Sequence, residues 1–442
     1  MDGAKGIILA AASSRSGKTL LTLGLLRAFI ADGIGAVAAK AGPDYIDPTL
    51  HRVACGADSW NLDPWAMEPA LVGDILSDSA RRAGAGGMVL VEGVMGLFDG
   101  ADDGRGSTAS LAAASGLPVV LIVDARGQAQ SVAAVARGFL AEAEARRSVD
   151  GEVRVVGVIA NRVGSARHRS LIERALAPTG VPLLGAVRED AALSLPSRHL
   201  GLVPGGEAGS SLEPALAAAE ARVREGVDLR ALYDCGVEVR RGSFVSSLPA
   251  PHGVIGVARD EAFVFMYPHI LAAWRGAGAE VRFFSPLADE APPDGCGFIF
   301  LPGGYPELHG GRLAAAGRFQ RGLRTAAGAG AEIYGECGGY MVLGRGLADA
   351  AGGRHEMAGL LPIETSFAEP RLHLGYRVLR ADNGWFGGDE WRGHEFHYAS
   401  LINEEANSSL FKAHDAAGNH LPPSGHIRDN VYGSFAHLIS NV

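Results

Sequence analysis

Two stretches of this chain hold reactive residue types at spacings that suit particular chemistries. In Ala12-Ser-Ser-Arg-Ser-Gly17-Lys18-Thr19 a lysine and a threonine close a small-residue loop, after an apolar run at 6–11 and ahead of an amphipathic stretch at 20–30. Such a strand, loop and helix aim backbone N–H groups and a helix N-terminus at phosphates, with the lysine on the outer phosphates and the threonine hydroxyl on Mg²⁺. Ser16, Gly17, Lys18 and Thr19 are therefore the expected nucleotide contacts, with Ala12 standing where the first glycine of the pattern is usual. In Gly335-Glu336-Cys337-Gly338-Gly339 a cysteine sits between glycines, after a predicted strand and before a helical segment. This is the sulfur counterpart of the nucleophile elbow, in which a sharp turn exposes the nucleophile and a helix N-terminus can lower its pKa.

Both sites need partners. Gly42-Pro-Asp44-Tyr45-Ile-Asp47-Pro48 and Val91-Glu92-Gly-Val-Met-Gly-Leu-Phe-Asp99-Gly100 place carboxylates after the second and third predicted strands. Mg²⁺ takes a few carboxylates beside phosphate oxygens and water, so Asp47 or Glu92 suits it, together with Thr19. The prolines around Asp44 and Asp47 suit a simple turn equally well. Glu92 follows four apolar strand residues and would be costly to bury without a charged partner. For the cysteine, Leu301-Pro-Gly303-Gly304-Tyr-Pro-Glu307 offers the Gly303 and Gly304 backbone as oxyanion-hole donors, or an ordinary glycine turn. The base is one of His394, His397 and His437, and spacing does not choose among them. Cys55, Cys235 and Cys296 read as small buried hydrophobes.

The elements that must position these groups are legible as alternating apolar runs and helical periods. Strands are predicted at 6–11, 34–39, 88–91, 118–123, 155–160 and 182–187, apolar on both faces, as in a parallel sheet covered by helices on each side. Lys40, Glu92, Asp124 and Asn161 each follow one of these runs directly, where open α/β sheets bind ligands. Lys40 and Asn161 complete the expected nucleotide set. The pattern weakens between about 226 and 251, which marks a linker and gives domains at 1–240 and 252–442. A second alternation predicts strands at 254–258, 280–284, 297–301 and 331–334, a helix after Phe265 and another across 311–326. Beyond Glu356 short extended pieces at 373–379 and 394–399 suggest added antiparallel strands. The fold class is α/β in two domains.

Composition narrows the function. Hydrophobic residues at 47% and charged residues at 20% exclude whole-chain disorder despite 62 glycines. With 40 basic against 49 acidic side chains and no Lys/Arg tract, no nucleic-acid partner is expected. The longest apolar stretches, such as 117–123, fall far short of the ~20 residues that span a bilayer. No membrane partner is expected, and four cysteines without metal or disulfide spacing point to the cytoplasm.

These residues resemble the glutamine-dependent cobyrinic or hydrogenobyrinic acid a,c-diamide synthases of corrinoid biosynthesis. The resemblance rests on Ser14-Arg-Ser-Gly-Lys-Thr19, Lys40-Ala-Gly-Pro-Asp-Tyr-Ile-Asp-Pro48, Asn61-Leu-Asp-Pro-Trp-Ala-Met67 and the block from Val91 to Gly100. Leu301-Pro-Gly-Gly-Tyr-Pro-Glu307 and Gly335-Glu-Cys-Gly-Gly339 extend it into the second half. It implies a P-loop domain like dethiobiotin synthetase, followed by a class I glutamine amidotransferase domain. Cys337 would then attack the glutamine carboxamide, with His437 as its base. The ammonia would pass within the protein to an acyl phosphate that ATP has made on a corrinoid carboxylate, first at one and then at the other of the a and c side chains. Thr19, Asp47 and Glu92 would serve Mg²⁺, and Asp44, Tyr45 and Asp99 would neighbour the substrate carboxylate with Lys40. The expected partners are the corrinoid, ATP, glutamine and, as a homodimer, a second copy of the chain.

Two positions depart from relatives of this kind. Ile439 stands where many triad amidotransferases carry a glutamate to orient the histidine, so a backbone group, a water or another side chain is expected there, with Glu395 a candidate. Arg15 stands where glycine is common, beside the phosphates or turned to solvent. The block from Asn61 to Met67 is closer to relatives that act on the metal-free ring. Competing readings are a cobyric acid synthase, a sirohydrochlorin diamide synthase, and a non-enzymatic P-loop switch of the partition-ATPase type.

Overall fold

Gly6-Ile-Ile-Leu-Ala-Ala11 has no polar face to give to water, so the strand it forms must be covered on both sides. A computed structural model describes residues 3–190, 208–240, 248–381, 390–404 and 409–441. The chain divides into two compact units, Met1–Phe244 and Val245–Val442. Of the expected linker, residues 241–247 lie outside the described residues.

In the first unit that apolar run is β1 (Lys5–Ala11), in the middle of a sheet. The others are β2 (Ala36–Ala41), β3 (Trp60–Leu62), β4 (Met88–Glu92), β5 (Val119–Asp124), β6 (Val155–Val163), β7 (Leu183–Arg188) and β8 (Val237–Glu238). The order is β3-β2-β4-β1-β5-β6-β7, parallel throughout. β8 adds antiparallel at Lys5 and Gly6, below Ile8, where pairing with β5 starts. The six predicted strands are present, each within two residues of its expected start. The short β3 was not predicted; it pairs Lys40 with Asn61 at the sheet edge. The helix Lys18–Ala31 is not amphipathic as expected. It is buried on nearly every side, because Gly24 lets it close on the helix Ala208–Gly226, where a Cβ would meet the carbonyl of Ala219.

The second unit repeats the principle with an added β layer. β9 (Val254–Ala258), β10 (Glu280–Phe284), β11 (Phe298–Leu301) and β12 (Glu332–Glu336) lie parallel in the order β10-β9-β11-β12. β13 (Gly346–Ala348), β14 (Arg354–Glu356), β15 (Ile363–Ser366) and the later β18 (Ser400–Glu404) form a small sheet. β16 (His373–Arg380), β17 (Glu390–His397), β19 (Lys412–His414) and β22 (Ala436–Asn441) form an antiparallel one, while β21 (Val431–Ser434) joins the parallel sheet beside β12 and β20 (His426–Arg428) pairs antiparallel with β21 at its edge. The helix expected across 311–326 is two helices, Gly310–Ala315 and Gly317–Gly328, broken at Ala316. Phe298, Ile299, Phe300, Leu301 and Ile333 fill the core, each at most 3% exposed. Among the described residues no helix is long and apolar enough to cross a membrane.

Candidate active sites

In the first unit the row of polar residues predicted at the strand ends does converge. Gly17 takes φ 86°, and a Cβ there would fall 2.2 Å from the Asn161 amide nitrogen, so the loop requires glycine at this point. Asn161 donates to the Ser16 carbonyl at 2.9 Å and accepts from the Arg162 N–H, so it holds the loop through the backbone. Ser16 Oγ donates to Ser13 O at 2.8 Å. Lys18 is 8% exposed and donates to the Met95 carbonyl, and burial together with Lys40 holds its pKa below the ordinary lysine value. Arg15 occupies the left-handed region at φ 63°, with its side chain toward solvent. The common glycine at this place is thereby explained by backbone conformation.

Behind the loop lies a buried charge cluster. Glu92 is fully buried at the end of β4 and accepts from Thr19 Oγ1 at 2.7 Å, with Lys40 Nζ at 3.3 Å and His51 Nε2 at 2.8 Å. These partners hold its carboxyl well below the usual carboxylate range. Lys40 Nζ also reaches Asp47 Oδ2 at 2.6 Å and stands 3.8 Å from Asp44 Oδ2, and these carboxylates raise its pKa. Asp47 is pushed above the carboxylate range by burial, Glu92 and Asp44. Asp44 also caps the turn, accepting from Ile46 N at 2.7 Å, as the turn reading of this segment expects. Tyr45 is half-buried in the same turn. Asp99 folds its own loop, accepting from Gly96 N at 2.9 Å, and its charge partly offsets the lowering of the Lys18 pKa. Asp124, the fourth strand-end residue, pairs with Arg126 and Arg162.

His51 plays no part in the sequence reading, and Asn61 enters it only as the first residue of a matching block. His51 lies four residues beyond Asp47 on the helix Asp47–Cys55, one turn along the same face, and that spacing is the signal that would have found it. Its ring is fully buried and links Glu92 to Ser59 Oγ at 2.9 Å. Asn61 donates to the carbonyls of Gly42 and Asp44, fixing the acidic turn against β3. Beside the loop a cleft of about 250 Å³ runs between Gly17, Leu20, Asn161, Val187, Asp190 and Arg222.

In the second unit Cys337 follows β12 with φ 47° and ψ −104°, a conformation that a non-glycine residue adopts only when its surroundings enforce it. Its N–H donates to Ser434 O at 2.8 Å. Cys337→Gly is therefore expected to be more stable than Cys337→Ala by about 1–2 kcal/mol, the left-handed cost for a residue with a Cβ. Paired thermal unfolding of the two variants checks it.

Strand order brings His437 to the elbow. β21 runs beside β12 and β22 follows it, which carries His437 to Gly303. A Cβ on Gly303 would lie 2.3 Å from His437 Cε1 and 3.2 Å from both His437 Nε2 and Cys337 Cβ. The imidazole and the thiol thus flank one point that only glycine leaves open. Gly304 N faces the elbow as well, 2.9 Å from where a Cβ on Gly338 would sit. Of the three histidines, His394 stands across from His437 on β17 with its ring against Tyr376. His397 is bound to Glu395 and to the Ala399 carbonyl.

The group beside His437 is not Glu395. That carboxylate is taken by His397 Nε2 at 2.8 Å and Arg377 Nε at 2.7 Å, and its pKa falls to about 2. Glu336 fills the place instead: its Oε2 is 3.6 Å from His437 Nδ1, while its Oε1 accepts from Leu438 N at 3.0 Å. Both residues are almost fully buried. The Cys337 thiol is pushed far up by burial and by Glu307, Glu336 and Glu395, which keeps it protonated at neutral pH. Cys55, Cys235 and Cys296 are half-buried rather than buried, packed against the edges of the two cores.

Residues 7–203 match the CobQ/CobB/MinD/ParA nucleotide binding domain, and residues 254–441 match the CobB/CobQ-like glutamine amidotransferase domain. Along its length the chain is similar to proteins named hydrogenobyrinate a,c-diamide synthase. The one from Rhizobium meliloti (strain 1021) is 51% identical, over 98% of this chain and 99% of the relative. That from Brucella anthropi is 50% identical, over 98% of each chain. That from Rhodobacter capsulatus is 47% identical, over 99% of each.

Proposed function

The chain belongs to the hydrogenobyrinate a,c-diamide synthase family, and from that premise we propose that it amidates the a and c carboxylates of metal-free hydrogenobyrinic acid, with ATP to activate each carboxylate and glutamine to supply the nitrogen. The observation that supports it best is the meeting of Cys337 and His437 at Gly303, in a chain whose other half holds a P-loop backed by Lys40 and Glu92.

In the amidotransferase half His437 Nε2 takes the thiol proton as Cys337 Sγ attacks the carboxamide carbon. The resting thiol is held protonated, so the base acts during attack rather than before it. The Gly303 and Gly304 backbone receives the oxyanion. The proton then passes from His437 to the departing ammonia, a thioester remains, and water releases glutamate. Glu336 steadies the imidazolium from the Nδ1 side, so Glu336→Gln is expected to lower kcat for glutamine hydrolysis roughly 10- to 100-fold, the scale of one close buried charge pair. Its KM should change little, and steady-state glutamate release checks both.

In the P-loop half the chain's own residues bind and orient. Ser16, Gly17, Lys18 and Thr19 take the phosphates, the cleft beside Asn161 takes the base, and Lys18 moves from Met95 O to the outer phosphates. Asp44, Asp47 and Glu92 crowd around Lys40, and a divalent cation would relieve the repulsion that lifts Asp47. Thr19, Asp47 and Glu92 would hold Mg²⁺, which neutralises phosphate charge when bound. Lys40 and Asp44, with Tyr45 in the same turn and Asp99 on the side of Lys18, orient the substrate carboxylate. The carboxylate takes the γ-phosphoryl group, ADP leaves, and ammonia displaces phosphate to give the amide. Mass spectrometry after incubation with Mg-ATP and glutamine, offering hydrogenobyrinic and cobyrinic acids in competition, tests the reading. Two amidations of the metal-free ring are expected; amidation of neither would overturn it.

A further inference from the structure

Three carboxylates act on the elbow thiol, and two of them are spoken for. Glu336 is given to Leu438 N and His437, and Glu395 to Arg377 and His397. Glu307 differs. Its Oε2 is shut off from water and has no hydrogen-bond partner among the described residues, although the residue as a whole is only half-buried. It lies in the 3₁₀ turn Pro306–Leu308, whose proline ring packs against Gly338 beside the nucleophile, 2.8 Å from where a Cβ would be. Apart from burial it is the largest influence keeping Cys337 protonated. A carboxylate so placed is costly unless it is protonated or meets a cation, and burial pushes its pKa up to about 7.

This inference rests on the glutaminase reading above. The amide donor brings one cation, its α-ammonium group, at the other end of a short chain from the carboxamide that Cys337 attacks. We propose that Glu307 receives the α-ammonium of L-glutamine and thereby selects an α-amino amide over the same amide without that group. Pairing also neutralises the charge that most opposes the thiolate, so the nucleophile is readied only when the donor is seated.

The test compares kcat/KM for hydrolysis of L-glutamine and of 4-carbamoylbutanoate, its des-amino analogue, in the full chain and in Glu307→Gln. Glu307→Gln should shrink the preference for glutamine by about 10- to 100-fold, chiefly through KM, as one hydrogen-bonded charge is lost. General damage lowers both substrates together, and an undiminished preference would overturn the assignment. Should Glu307→Gln fail to fold, Glu307→Asp, which keeps the charge but withdraws it, should still narrow the preference, and an unchanged ratio there overturns the proposal equally. If the unaltered chain releases no glutamate from glutamine, the glutaminase reading fails and this assignment with it.

Discussion

Cys337→Ala is expected to abolish glutamine-driven amidation, by about 10⁴-fold or more, while ammonium salts at high concentration still support formation of the diamide. The size follows from the chemistry. Without the sulfur there is no thioester, and His437 has no proton to take from the nucleophile. The elbow backbone and Gly303 remain, so binding of glutamine survives, but oxyanion stabilisation alone gives only a residual rate. The P-loop unit holds its own charge cluster, none of whose residues comes from beyond Glu92, so the ligase step needs only a nitrogen nucleophile. Amide formation is read by mass spectrometry with either nitrogen source, and glutamate release is followed in parallel. Equal activity of the variant with glutamine would remove Cys337 from the mechanism.

The sequence disclosed those parts of the sites that are contiguous in the chain. The P-loop, the acidic turn and the elbow are local motifs read from the spacing of a few residues, and each follows a strand in the structure. What was hidden depends on strand order. His394, His397 and His437 were equal by spacing; only the pairing of β21 with β12 sets His437 against Gly303. Glu336 stood next to the nucleophile throughout, yet its role is visible only once β22 folds back so that Leu438 N–H and the His437 ring meet its two oxygens. Glu395, one candidate for orienting His437, is diverted by Arg377 across the β16–β17 pair. His51 was missed for a related reason: a histidine on a helix carries no signal of its own until the sheet places Glu92 opposite it. The helix after the P-loop was misjudged as amphipathic because its far face is covered by a helix nearly two hundred residues later, which composition cannot announce.

Glu92→Gln is expected to produce the complementary phenotype: amidation lost with glutamine and with ammonia alike, while glutamine is still hydrolysed. Glu92 is the one carboxylate in contact with Thr19, Lys40 and His51 at once. An amide in its place keeps the shape but removes the charge, and its NH₂ must face a donor where the carboxylate offered only acceptors. Lys40 then has Asp47 as its close partner, and burial, which already favours its neutral form, is opposed less strongly. The proposed metal and phosphate site would lose an anionic group together with the geometry of Lys40, so a fall of at least about 10²-fold in ammonia-driven amidation is expected. Removing the charge of Glu92, itself fully buried against Lys40, also costs about 3–5 kcal/mol of stability, which a lowered urea midpoint would register. Glu92→Asp separates the two effects, because it keeps the charge and loses only reach. It should recover most of the stability and little of the activity, whereas recovery of both would show that charge, and not the position of the carboxylate against Thr19, is what the reaction requires.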